Sequence, residues 1–197
     1  MCYMTSGETS ELVRFMFELG QLKRVKRSGW WLIGIKDPES VAEHSFRAGL
    51  VGYILAKMEG VDADKVMKMC LIQDLCEARL NDLHKLGHRY IDFRGYERQA
   101  LKEQLERLPD SIRDEFLVLF DEYATDSSRE GIVARDADLL ECALQAREYA
   151  DSGYIEALGW HTAVEPLFKT SGANLLFKEL RSSDSNSWWK GLKKTGR

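Results

Sequence analysis

Proline occupies only three positions, Pro38, Pro109 and Pro166, and no run of alternating β-branched residues occurs anywhere in the chain. Apolar residues instead recur every three or four positions, so the dominant period is helical and the expected fold is all-α. A length of 197 residues allows one full core and not two comfortable ones. A single domain over residues 1–182 is therefore expected, followed by a short Ser-rich C-terminal tail over 183–197.

Leu12, Phe15, Met16 and Leu19 mark a first helix over residues 10–22, with Thr9 or Ser10 as its cap. The basic cluster Lys23, Arg24, Lys26 and Arg27 leads into Ser28-Gly29-Trp30-Trp31 and a connecting loop that ends at Asp37-Pro38-Glu39. From Ser40, the spacing of Val41, His44, Ala48, Val51 and Leu55 predicts a second helix, stopped by Gly60, with His44 on its inward face. Asp62 caps a third helix whose inward side runs Val66, Met69, Cys70 and then turns polar at Gln73, Asp74 and Glu77. Beyond an irregular stretch over 81–90, helices are expected over 96–108, from Pro109 to Tyr123, and over 129–150 with Asp151-Ser152-Gly153 as the stop. Two short helical patterns follow, parted near Ser171-Gly172.

Charge and cysteine usage narrow the function. The 28 Lys and Arg residues against 32 Asp and Glu give a net charge of −4, which argues against binding a nucleic-acid polymer by phosphate neutralisation. No stretch approaches the about 18 apolar residues of a membrane span, and the first residues lack the pattern of an export signal. Cys2, Cys70, Cys76 and Cys142 form no C-x-x-C pair, so a zinc ribbon is excluded and a reducing cytoplasm is the expected location.

Three polar insertions interrupt apolar helical faces at well-separated points: His44, the group Gln73, Asp74 and Glu77, and Asp138. Buried ionisable groups are costly unless paired or bound to metal, so their convergence from separate helices points to a site for a divalent cation.

These residues resemble the H…HD…D ligand pattern of the HD-domain superfamily of metal-dependent phosphohydrolases, with His44, Gln73, Asp74 and Asp138 at the ligand positions. The closer resemblance, over about residues 12–149, is to the YfbR-type 5′-deoxynucleotidases and their archaeal and eukaryotic relatives. SGWWLIGIKDPESVAEHSFRAGLV is similar to that family's opening, with Trp30 fourteen residues before His44. QDLCEARLND is similar to its H-D-x-x-E-x-x-x-x-D run, and ARDADLLECALQAREY to its later helix, which selects Asp138 over Asp136.

The resemblance implies an all-α HD-domain bundle that releases phosphate from nucleoside 5′-monophosphates, with deoxyribonucleotides preferred. It also implies one divalent metal of the Co, Mn, Mg or Zn class and a homodimer. Glu77 and Asp82 take the acidic catalytic positions, Trp30 lies against the sugar, and Arg27 or Lys26 stands in for an arginine that some members carry at the position of Gly29. The His of the HD pair is Gln73 in this chain, and an amide is a weaker ligand than imidazole for transition metals. Another phosphoester substrate, cyclic or polyphosphorylated, and a degenerate domain that binds without turnover are the alternative expectations.

Other residues carry plainer readings. His84 and His88 have the i, i+4 spacing of a metal pair but no accompanying acid motif, and His161 is expected to be a surface or packing residue. Trp31 is expected to pack as well, and the Trp188-Trp189 pair beside Lys190, Lys193 and Lys194 to dock on protein.

Overall fold

The computed structural model describes residues 5–92 and 94–192, with Arg94 described by its backbone alone. Cys2 and the terminal Lys193 and Lys194 lie outside them. The described residues form ten α-helices joined by short turns, and their only β pairing is an isolated bridge between Lys26 and Ser40.

Helix α1 spans Ser6–Leu19 and begins earlier than its apolar stripe predicts. Thr5 and Glu8 form a capping box that satisfies the first free N–H groups four or five residues ahead of the expected Thr9 or Ser10. Of that stripe Phe15 is buried, whereas Met16 is exposed. A 3₁₀ turn over Gly20–Lys23 follows, and a second over Ser28–Ile33 gives structure to the expected loop. Val41 N–H donates to Val25 O, and Arg27 N–H to Glu39 O, so the segment carrying Arg27 and Trp30 is tied to the start of the next helix.

That helix, α2, spans Val41–Glu59 and starts at a Ser40/Glu43 capping box. The box fixes where the helix begins and so places His44 on its inward face, fully buried. Gly60 ends it in the left-handed conformation expected of a helix stop. Helix α3, Ala63–Ile72, is capped by Asp62. Its polar continuation is not one helix, as expected, but a turn over residues 73–76 and then a short α4, Glu77–Leu80. The bonds tighten from i→i−4 to i→i−3, Leu75 to Ile72 and Glu77 to Asp74, which rotates Asp74 and Glu77 toward the space beside α2.

A short α5 covers Lys85–His88, α6 Arg94–Leu105 and α7 Asp110–Thr125. Helix α8, Arg129–Asp151, is the longest and is capped by Ser128. Beyond it lie a 3₁₀ turn over Ile155–Leu158, α9 over Gly159–Val164, a turn over Glu165–Leu167, and α10 over Ser171–Leu180 with Thr170 as N-cap.

Helices α2, α3 and α8 pack on one another around Leu55, Val66, Met69, Cys70, Ala137 and Leu140. The approach is close at Gly52, where a Cβ would lie 2.7 Å from Cys70 Sγ and 3.1 Å from Val66 Cγ1. A smaller cluster of Trp30, Ile35, Ala146 and Ala157 seals the other side of α8. His161 is buried, its Nε2 3.0 Å from Ala143 O. Trp31 departs from expectation and is exposed, while Trp188 is 77% exposed and Trp189 donates from Nε1 to Asn186 Oδ1. No helix of the described residues is long and apolar enough to cross a membrane.

Asp136 is fully buried and accepts from the backbone N–H groups of Lys169 and Thr170 at 2.7 to 3.1 Å, joining α8 to the start of α10. Asp136→Ala would strand these donors in the core and should lower unfolding free energy by about 3 kcal/mol. Urea denaturation checks this, and a loss below about 1 kcal/mol would show the donors to be satisfied another way.

Candidate active site

His44 projects from the first turn of α2 to the centre of the molecule. Its Nδ1 bonds Glu141 Oε2 of α8, and neither side chain has solvent-exposed surface. Arg47, one turn along α2, donates from Nε to Glu141 Oε1 at 2.8 Å and from Nη1 to Glu148, so Glu141 is held from two sides. This leaves Nε2 as the nitrogen facing the site.

Three of the residues singled out in the sequence gather around that atom. Asp138 Oδ1 lies 3.1 Å and Asp74 Oδ2 3.5 Å from His44 Nε2. Gln73 Nε2 lies 3.4 Å from both His44 Nε2 and Asp138 Oδ1. The second oxygen of Asp138 accepts a bond from Tyr123 Oη at 3.0 Å.

Asp74 and Glu77 face the same space. Asp74 Oδ2 and Glu77 Oε2 are buried without a hydrogen-bond partner, which is costly unless a proton or a cation meets them. Arg27 Nη1 lies 3.3 Å from Asp82 Oδ2 and 3.7 Å from Asp74 Oδ2. Both oxygens of Asp82 are engaged, because Oδ1 also accepts from Ser28 N–H at 3.3 Å and Ser28 Oγ–H at 2.8 Å.

A cavity of about 1100 Å³ opens above this cluster, lined by Arg27, Trp30, Gln73, Asp74, Glu77, Asp82 and Asp138 together with Arg135 and Trp160. Trp30 is nearly fully buried in its wall, 4.7 Å from the Trp160 ring and 5.0 Å from Tyr149, with Nε1–H donated to Glu39 Oε1 at 3.0 Å. Lys26 is not brought to the site. Its Nζ turns to Pro38 O and Asp37 on the far side of the Lys26–Ser40 bridge. His84 Nδ1 caps α5 by accepting Gly87 N–H.

Electrostatics follow from this crowding. Burial and Arg27 oppose a proton on His44, but Glu141 and Asp138 outweigh them and push its pKa up to about 10. Burial raises Asp74 to about 6 despite Arg27 and His44. Glu77 is held well above the usual carboxylate range by burial and by the neighbouring Asp74 and Asp82 charges. Burial also opposes ionisation of Asp138, yet the hydrogen bond and charge of His44 hold it below the ordinary range. The carboxylates that favour a positive charge at Nε2 would favour a cation in the same place. A donor set of one imidazole nitrogen, two carboxylates and an amide fits a divalent ion.

Ligand atoms of Glu39, His44 and Glu141 also lie within 4.8 Å of one another and form a second group able to hold a cation. It engages the Nδ1 side of His44, where Glu141 already accepts from Arg47 and Glu39 from Trp30.

A family model described as HD domain matches residues 19–166. This chain belongs to the HD-domain family. The HD domain is 32% identical to the 5′-deoxynucleotidase HDDC2 of Mus musculus over 152 residues, covering 77% of this chain and 76% of the relative. It is 29% identical to a 5′-deoxynucleotidase of Citrobacter koseri, covering 77% of this chain and 80% of that one. A solved structure of a conserved hypothetical protein from Pyrococcus furiosus superposes with a TM-score of 0.76 at 32% identity, covering 87% of this chain and 99% of that chain.

Sequence reasoning missed Glu141, Ser28, Tyr123 and Arg135 of the HD domain. Glu141 had a signal, as an acid three residues after Asp138 in the otherwise apolar run Leu139-Leu140-Glu141-Cys142-Ala143-Leu144. Ser28 and Tyr123 carried none, because a lone Ser or Tyr is equally at home in a turn or a core.

With divalent cations removed by EDTA, stability should fall as pH rises. His44 titrates near 6.5 unfolded and near 10 folded, so its contribution is full below about 6.5 and is lost as pH rises through 10. Asp74, raised from 3.8 to about 6, and Glu39, raised from 4.5 to about 7, act with the same sign at lower pH. The urea midpoint should decline from pH 6 to pH 9, and Glu141→Gln should flatten the decline. A midpoint that rises over that interval contradicts the assignment.

Proposed function

We propose that this protein is a metal-dependent phosphohydrolase that releases phosphate from nucleoside 5′-monophosphates, with deoxyribonucleotides preferred. The observation that carries the reading is that Asp74 and Asp138, which line a cavity of about 1100 Å³, converge on the Nε2 of the buried His44. The activity of the relatives, 5′-deoxynucleotidase, supplies the substrate class.

His44, Asp74 and Asp138 would hold the divalent ion, with Gln73 as a fourth donor. When bound, such an ion supplies positive charge that polarises a phosphoryl oxygen and favours attack by water. The Nε2 side is preferred over the Glu39–Glu141 side because Glu141 is committed to fixing the imidazole, the usual role of a carboxylate behind a ligating histidine. Gln73 directs its amide N–H at Asp138. Turned about its terminal bond, the amide presents Oε1 to the same point.

Glu77 is buried with one oxygen unpartnered, and burial together with the Asp74 and Asp82 charges raises its pKa, which favours the protonated form a general acid needs to protonate a departing 5′-oxygen. Asp82 has both oxygens engaged, Oδ1 by Ser28 and Oδ2 by Arg27. Its part is to fix Arg27, which turns a guanidinium toward the cavity for the phosphate. Trp30 is held edge-on by Tyr149 and by the tilted ring of Trp160, and gives the sugar an apolar wall against which a 2′-hydroxyl would lose hydrogen bonds.

Binding without turnover is the second reading, and Gln73 favours it. An amide in place of imidazole weakens the hold on a transition metal, and its N–H already meets Asp138. Phosphate release from a panel of nucleoside and deoxynucleoside 5′-monophosphates with Mg²⁺, Mn²⁺ or Co²⁺ tests both. The expected result is deoxynucleotide hydrolysis that Gln73→His increases. Nucleotide binding with no release by either form would favour the second reading.

Two variants assign the roles. Asp74→Ala should abolish metal binding, measured as metal per chain after dialysis, because Gln73 cannot replace a charged ligand. Glu77→Ala should keep the metal but slow turnover by about 10²–10⁴-fold, and an unchanged rate would remove Glu77 from the chemistry.

A further inference from the structure

Asp138 is held differently on its two oxygens. Oδ1 faces His44 Nε2 and Gln73, whereas Oδ2 accepts the hydroxyl of Tyr123, a ring buried near the end of α7. Arg135 lies one turn before Asp138 on α8 and donates from Nη1 to the same Tyr123 oxygen at 3.2 Å. Its guanidinium also sits 5.1 Å above the Tyr123 ring.

These contacts leave one arrangement of protons. Guanidinium cannot accept a hydrogen bond, so Arg135 must donate to Tyr123 Oη. A phenol has a single proton, which is thereby directed at Asp138 Oδ2. A carboxylate pinned through one oxygen by a rigid ring cannot rotate freely about its Cβ–Cγ bond, so its other oxygen stays aimed at His44 Nε2. Neither Tyr123 nor Arg135 lies within hydrogen-bond distance of His44, so both act through Asp138.

We propose that Tyr123 is a positioning residue that locks Asp138 with Oδ1 facing the cation site, and that Arg135 sets the direction of the Tyr123 hydroxyl. The proposal rests on the reading of Asp138 as a metal ligand. The lock is assembled by tertiary packing, since α7 supplies the ring and α8 both the carboxylate and the guanidinium.

The experiment titrates Mn²⁺ into the full chain by calorimetry and follows the melting temperature of each variant in EDTA. Tyr123→Phe keeps the ring and removes the bond, and should weaken Mn²⁺ binding by about 10–100-fold with the fold retained. Arg135→Met removes both the orienting bond and a positive charge that repels the cation. In the Tyr123→Phe background only the charge effect is left. The double variant should therefore bind at least about threefold more tightly than the product of the two single effects predicts.

Mn²⁺ affinity within twofold of the unsubstituted chain in Tyr123→Phe would overturn the lock while leaving the metal reading intact. Strictly multiplicative single effects would overturn the part given to Arg135. An unsubstituted chain that binds no Mn²⁺ would overturn the metal reading and this proposal together.

Discussion

At the crossing of α2 and α8, an imidazole and a carboxylate with no exposed surface share a hydrogen bond, His44 to Glu141. An unpaired charge buried at this depth would cost several kcal/mol, so each group is tolerable only because the other is there. Arg47 completes the balance from the same face of α2. With Nδ1 committed in this way, Nε2 has one direction left, and Asp74, Asp138 and Gln73 are arranged around it. The rest of the site depends on that orientation.

The surrounding helices divide the work. Helix α8 carries two acids two residues apart with opposite tasks. Asp136 faces outward to α10 and spends its oxygens on the Lys169 and Thr170 backbone, while Asp138 faces inward to His44. A helical step of 100° per residue turns positions two apart to nearly opposite sides, which is why one is structural and the other belongs to the cavity. The segment before α2 is held by the Lys26–Ser40 bridge, which sends Arg27 inward and Lys26 outward by the alternation of an extended chain.

Much of this was legible in the sequence. The apolar spacing gave α2, α7 and α8 close to their observed limits and the start of α3, and the polar interruptions at His44, Asp74, Glu77 and Asp138 marked side chains that do converge. The early start of α1 was missed because a capping box outweighed the end of an apolar stripe. The break after Ile72 was missed because its residues keep a right-handed twist while their bonds shorten to i→i−3, a change that no residue type announces.

What the sequence by itself determined is the helical class, the inward faces and the short list of polar residues on them. Periodicity and caps act within about one helical turn, and so can be read without knowing the neighbours. Which of those residues share a partner was decided only by tertiary structure. Lys26 and Arg27 are adjacent in sequence and chemically alike, yet one pairs with Asp37 and the other with Asp82 of a distant turn. The Tyr123 hydroxyl gains its bond to Asp138 only when α7 packs on α8. A hydrogen bond depends on distance and direction in space, and separation along the chain specifies neither.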